Sequence, residues 1–339
     1  MSVDTTWRMN AITALLAKAG WAGADLSPLA GDASNRRYLR ATLGDARAVV
    51  MDAPKERGED TRPFLAIARV LSDQGLSAPR ILAQDTGTGV LLLEDLGDAL
   101  FARWLDDRPG DEMRLYSAAI DCLVALHNAP APADVAPYGP EMPALAALAV
   151  TWYAGRADTD DLRDHVARAL EATQSDEEVL VLRDFHAENL LWLPDRASPA
   201  DVGLLDFQDA RLGHPAYDLA SLLRDARRDV GQDVQEAMIA RYVQARGLDA
   251  DAFTAAFAVQ SAQRNLRILG VFARLSLHFG KPHYVDLIPR VWRNLMADLR
   301  HPVLADLAES ISRTLPPPDP THLKDLKDRC ATLPLHPPA

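Results

Sequence analysis

Residues 180–211, LVLRDFHAENLLWLPDRASPADVGLLDFQDAR, constrain this chain more than any other stretch. Two short apolar runs, residues 179–182 and 202–205, each lead into an aspartate. Apolar runs of that length bounded by polar residues read as buried strands. The first opens Asp184-Phe-His-Ala-Glu-Asn189, which puts an asparagine five positions after the aspartate, and the second opens Asp206-Phe207. A phosphoryl-transfer site needs such parts: a carboxylate to take a hydroxyl proton, then an amide and a second carboxylate to hold Mg²⁺ against ATP. Either aspartate alone could simply end a strand at a turn. The pair together with Asn189 is far more specific. Rigid strands fix the residues that follow them, and both aspartates are expected at the ends of strands of one small hairpin.

Bulk properties narrow the class. A chain of 339 residues can bury a large core, and its length suggests two domains. The balance of 36 basic to 48 acidic residues, net −12, argues against a nucleic-acid backbone or an anionic membrane as main partner. A small phosphorylated ligand is met by local charge and is not excluded. Cys122 and Cys330 are the only cysteines, so no disulfide framework is implied and a reducing cytosol fits. The first residues read as an amphipathic helix rather than a signal peptide, and no window approaches the ~18 apolar residues of a membrane span. A soluble, cytoplasmic monomer is expected.

In order, a helix over residues 5–19 precedes two strand-like pieces around the turn Gly31-Asp32-Ala33-Ser34. In a nucleotide-binding lobe this turn would lie over the phosphates and offer backbone N–H groups and Ser34. A third strand, residues 48–51, completes an antiparallel meander. Thr61 and Pro63 suit the start of a helix over residues 62–74. A hairpin of residues 80–84 and 90–94 runs into Glu94-Asp95-Leu96-Gly97-Asp98. That change from buried strand to polar, glycine-containing segment fits a hinge whose backbone could pair with an adenine edge.

Beyond residue 99 the periodicity turns helical, over residues 99–105, 111–127, 144–154, 159–173, 216–227, 231–245, 252–279, 285–299 and 303–314. Asp218 falls in the first turn of one of these helices, where it would cap N–H groups or buttress the Asp206 loop. On helix 252–279, Ile268, Phe272, Leu275 and Phe279 mark a buried face. Gln260, Arg264, Arg267, Val271 and Arg274 mark a polar and basic one. Such a stripe is more often solvated or ion-paired than directed at an anionic ligand. The tail from Pro316 is proline-rich and expected to be peripheral or partly disordered.

Asp184-Phe-His-Ala-Glu-Asn189, Leu205-Asp206-Phe207-Gln208 and Pro215-Ala-Tyr-Asp218-Leu-Ala together resemble the aminoglycoside phosphotransferase branch of the protein-kinase-like fold. Four longer runs resemble one subgroup, the bacterial anomeric kinases of N-acetylmuramate and N-acetylglucosamine. They are Gly31-Asp-Ala-Ser-Asn-Arg-Arg-Tyr38, Val50-Met-Asp-Ala-Pro54, Leu91-Leu-Leu-Glu-Asp-Leu-Gly-Asp98 and Gln263-Arg-Asn-Leu-Arg-Ile-Leu-Gly-Val-Phe-Ala-Arg-Leu275. The resemblance spans residues 26–295. It implies an α+β, protein-kinase-like two-lobe fold: a small β-rich N-lobe over residues 1–95, a large mostly helical C-lobe over 96–315, and a tail over 316–339.

The resemblance further implies an ATP- and Mg²⁺-dependent transfer to the anomeric hydroxyl of a small amino sugar, in the salvage of peptidoglycan sugars toward UDP-N-acetylmuramate. Asp184 would be the base, Asn189 and Asp206 the metal ligands, and Ser34, Arg37, Glu94 and Leu96 the nucleotide contacts. Arg183, Glu188, Asp209, Arg211 and Arg264 are candidates to meet the sugar. One departure stands out: the third strand of such folds carries a lysine for the phosphates, and Ala48-Val-Val-Met-Asp52 has none. Arg37 is expected to replace it, with Arg36 or Lys55 as alternatives. Aminoglycosides, choline and homoserine remain alternative acceptors, and a catalytically dead binding module is the alternative of another class.

Overall fold

The computed structural model describes residues 3–29 and 36–335. The turn over residues 31–34, with Ser34, lies outside them. The chain packs as two compact units, Met1–Pro109 with Glu188–Ala210, and Gly110–Ala187 with Arg211–Ala339. The first therefore continues past residue 95 and takes in a segment from the middle of the sequence.

The first unit contains α1 (Val3–Lys18), β1 (Asp25–Pro28), β2 (Arg37–Leu43), β3 (Ala46–Asp52), α2 (Arg62–Asp73), β4 (Ile81–Asp85), β5 (Val90–Glu94) and α3 (Phe101–Asp107). These five strands form one antiparallel sheet in the order β1-β2-β3-β5-β4. Alternate side chains explain the layering. Ala48, Val50, Val90 and Leu92 join Ala41 in one cluster with Ile12, Leu15 and Leu16 of α1. Met51 and Leu91, one position out of phase, are buried as well. Thr61 does not cap α2: its hydroxyl makes no capping bond, and Asp60 accepts the Arg62 N–H at 2.9 Å instead.

The second unit is mostly helical. It contains α4 (Glu112–Asn128), α5 (Met142–Ala146), a π-helical turn at Ala149–Tyr153, α6 (Asp160–Ala172) and β6 (Val179–Val181). The hairpin strands β7 (Leu190–Trp192) and β8 (Val202–Leu204) then return to the first unit. After them come β9 (Arg211–Gly213), α7 (Ala216–Leu223), α8 (Gln232–Arg246), α9 (Ala250–Leu277), α10 (Ile288–Asp298), α11 (Ala305–Thr314) and α12 (Pro320–Asp328).

Helix α9 runs through the core of this unit, with Ala262, Leu266, Leu269 and Ala273 at most 1 % exposed. At Gly270 a Cβ would lie 2.3 Å from the Leu148 carbonyl carbon, so only glycine permits this approach to the turn before α6. The single helix expected over residues 144–154 is split into α5 and the π turn that meets α9. The tail also differs from expectation. Asp319 caps α12 through the His322 N–H, Leu326 is buried, and the Ser276 hydroxyl donates to the Leu326 carbonyl at 2.9 Å.

Candidate active site

In the second unit β6 pairs with β9, in the register Val179↔Gly213 to Val181↔Arg211. Strands β7 and β8 pair with each other in the first unit. Asp184 and Asp206 thus follow strands of two different small sheets, not one hairpin. Strand β9 went unread in the sequence because three residues carry no periodic signal of their own.

The loop bearing Asp184 is held by Asp218, which is fully buried in α7 and accepts the N–H of Leu182 at 2.6 Å and of Arg183 at 2.8 Å. Asp218 is therefore structural, as expected, but it anchors the Asp184 loop rather than the Asp206 loop. Burial pushes its carboxyl up to about 7, while the two N–H bonds pull the other way. Arg183 has φ 73°, a left-handed conformation that costs an L-residue about 1–2 kcal/mol. Its guanidinium lies over the Tyr138 ring, 4.8 Å from the centroid.

One third of the Asp184 side chain is exposed. Desolvation works to raise its pKa, but Arg267 and Arg264, then His186 and Arg183, outweigh it and hold the carboxyl below the usual range. Arg264 Nη2 stands 3.8 Å from Asp184 Oδ1, and Arg267 donates to the Tyr217 hydroxyl at 3.3 Å. Of the polar and basic stripe of α9, Arg264 and Gln260 are each 4 % exposed and Arg267, Val271 and Arg274 are partly buried, whereas Phe279, expected inside, is exposed. Among the described residues, Nε and Nη1 of Arg264 are buried without a hydrogen-bond partner. Beside them His186 is buried, its Nε2 3.3 Å from Arg227, and burial brings its pKa down to about 4.

In the first unit, the register Leu190↔Leu204 sets Asn189 across from Leu205, whose N–H donates to the Asn189 carbonyl at 3.0 Å. Asp206 comes next. It has φ 58°, and Oδ1 accepts from the Gln208 side-chain amide at 2.7 Å. Phe207 is fully buried and stacks on Phe64 of α2 with centroids 4.9 Å apart. An amide oxygen and a carboxylate are hard oxygen donors and fit Mg²⁺, which is ordinarily held by one or two protein carboxylates together with phosphates and water.

Of the expected nucleotide contacts, Glu94 accepts from Arg196 at 2.9 Å and pairs with Arg80 at 3.2 Å. The Leu96 side chain packs on the hairpin, where a Cβ at Gly203 would stand 3.1 Å from it. Arg37 turns onto the buried Asp52 of β3, which also binds Arg8. Glu188 and Asp209 are exposed on the first unit, and Arg211 lies on β9 of the second. The sequence reading missed Glu59 and Tyr38, whose positions become meaningful only through their contacts with Arg36.

A carboxylate on a braced loop, and an amide and a carboxylate at the end of a hairpin, are the kinds of group that phosphoryl transfer calls for. The family model described as "Phosphotransferase enzyme family" matches residues 25–257, and the chain belongs to that family. It is 39 % identical to the N-acetylmuramate/N-acetylglucosamine kinase of Caulobacter vibrioides, over 91 % of this chain and 97 % of that one. The protein of the same name from Pseudomonas aeruginosa is 34 % identical, over 90 % and 94 %.

Among solved structures, a choline/ethanolamine kinase family protein from Mesorhizobium loti aligns with a TM-score of 0.61 at 18 % identity, covering 95 % of this chain and 99 % of that one. A choline kinase from Streptococcus pneumoniae aligns with 0.60 at 16 %, covering 85 % and 99 %. These likenesses bear out the α+β, kinase-like fold. No helix of the described residues is long and apolar enough to cross a membrane.

Proposed function

We propose that this protein transfers the γ-phosphoryl group of ATP to the anomeric hydroxyl of N-acetylmuramate or N-acetylglucosamine, as a cytoplasmic monomer salvaging cell-wall amino sugars. The observation that carries the reading is the 39 % identity to a kinase named for those two sugars, over nearly the whole of both chains. Asp184 accepts the hydroxyl proton and orients the attacking oxygen, a task for which its arginine neighbours keep it ionised. Asn189 and Asp206 would hold Mg²⁺, which when bound supplies charge compensation for the phosphates. Because the transition state of phosphoryl transfer is loose, the residues act mainly by positioning and electrostatics.

The charge around Asp184 favours this acceptor over choline and aminoglycosides. Choline and aminoglycosides are cations, and Arg267, Arg264 and Arg183 all act on Asp184. The lactyl carboxylate of N-acetylmuramate suits such a setting, and Arg264, with two buried N–H groups unpartnered among the described residues, is the candidate to bind it.

A coupled ADP-release assay over N-acetylmuramate, N-acetylglucosamine, kanamycin, choline and homoserine, with Mg²⁺ present, tests the reading, and ³¹P NMR of the product identifies the phosphorylated oxygen. Turnover with the two acetylated sugars and a 1-phosphate product is expected. Preference for kanamycin, choline or homoserine would refute the acceptor, and a blank across the panel would point to a binding module.

A further inference from the structure

The chain lacks the strand lysine that grips nucleotide phosphates in kinase-like folds: β3 reads ARAVVMD. We propose that Arg36, oriented by Glu59, supplies that cation. The inference rests on the phosphotransferase reading but not on the choice of acceptor.

Three arginines and one lysine of the first unit bear on the question. Arg8 and Arg37 both bind Asp52, whose carboxylate is completely buried. Arg37 Nε donates to Asp52 Oδ2 at 3.0 Å, an arrangement that locks the end of β3 to β2 and α1. Moving Arg37 onto a phosphate would strip a buried carboxylate of one of its two counter-charges. Lys55 is exposed on the turn after β3.

Arg36 is placed differently. Its Nε donates to Glu59 Oε2 at 2.7 Å, and the two side chains are only 12 % and 13 % exposed. Among the described residues the Tyr38 phenol also interacts electrostatically with Arg36, and it feels the charge of Asp206, the expected metal ligand. Arg36 and Glu59 form a half-buried ion pair in the unit that also carries Asp206, whose charge reaches the Tyr38 phenol. A guanidinium has five N–H donors in a rigid fork, so it can bind a carboxylate and a phenol while meeting a phosphate oxygen. The carboxylate fixes the cation's direction, the part played by the glutamate paired with the strand lysine in protein kinases. Glu59 is thus a positioning residue.

The test is equilibrium binding of ADP, a non-hydrolysable ATP analogue and adenosine to the full chain in Mg²⁺, beside steady-state kinetics. Arg36→Ala should weaken ADP and the analogue about ten- to hundredfold, the usual effect of losing a charge-assisted bond, and leave adenosine within about twofold. Arg36→Lys should recover part of the loss. If the alanine variant does not fold, the lysine variant still reports through a raised KM for ATP. Glu59→Gln should raise the KM for ATP more than it lowers kcat. Arg62→Ala, which removes an exposed arginine paired with Asp60, is the control for surface charge.

Unchanged analogue affinity in Arg36→Ala overturns the proposal. So does an equal loss for adenosine, or a phosphate-specific loss in Arg37→Ala but not in Arg36→Ala. Binding is read without acceptor, so an error about the sugar leaves this result intact. The wild-type acceptor panel, conversely, is blind to which arginine holds the phosphates.

Discussion

Acid should unfold this protein through histidines its helical unit keeps neutral. His127 of α4 is 1 % exposed, with Nδ1 2.7 Å from the Tyr242 hydroxyl of α8, and desolvation brings its pKa from 6.5 to about 3. In the unfolded chain the same ring titrates at its ordinary value. A folded pKa below the unfolded one means the contribution to stability is complete above about pH 6.5 and is lost as pH falls toward the folded value. At pH 5 the unfolded state is almost fully protonated at this ring and the folded state is not, which amounts to about 2 kcal/mol of lost stability. His186, brought down to about 4, adds a similar loss. Together the two remove about 4 kcal/mol, a large share of the ~5–15 kcal/mol typical of a folded domain.

Urea denaturation at pH 7.5 and pH 5.0 tests this. The wild type should lose about 2 kcal/mol more across that interval than His127→Asn, which cannot titrate. Comparing the two intervals cancels the constant cost of the substitution itself. An equal loss in both proteins, or an NMR titration of the native His127 ring centred near pH 6.5, would refute the reasoning.

Four further outcomes follow from the geometry. Asp184→Asn should lower turnover about 10²–10⁴-fold while nucleotide affinity measured by titration stays near wild type, because the base acts on the acceptor. Asp218→Ala leaves the Leu182 and Arg183 N–H groups unsatisfied, at about 1–3 kcal/mol each, and should lower both the melting temperature and kcat. Arg264→Gln should cut kcat/KM for N-acetylmuramate about tenfold or more beyond its effect on N-acetylglucosamine, read by competing the two sugars. Gly270→Ala drives a methyl group into the Leu148 backbone and should cost about 1–3 kcal/mol in a thermal melt, whereas Gly110→Ala, with nothing within 4 Å, should not.

What could be read from the sequence was what local chemistry encodes. Apolar runs bounded by glycine, proline and polar residues located the sheet of the first unit and most helices to within a few residues, since backbone periodicity is a property of each segment alone. Asp184, Asn189 and Asp206 could be put forward as site residues for a similar reason: residue type and spacing along the chain suggest the chemistry.

Tertiary structure decided every matter that turns on which residue meets which. Only the fold pairs β6 with β9, turns Asp218 onto the Leu182 and Arg183 N–H groups, and buries Arg264 of α9 beside Asp184. Two adjacent arginines make the point most plainly. Arg36 and Arg37 are equivalent as letters, yet Arg37 meets Asp52, fifteen residues on, and Arg36 meets Glu59, twenty-three residues on. Those partners are set by strand pairing and by where the chain returns, and neither leaves a trace in the residues that flank the two arginines.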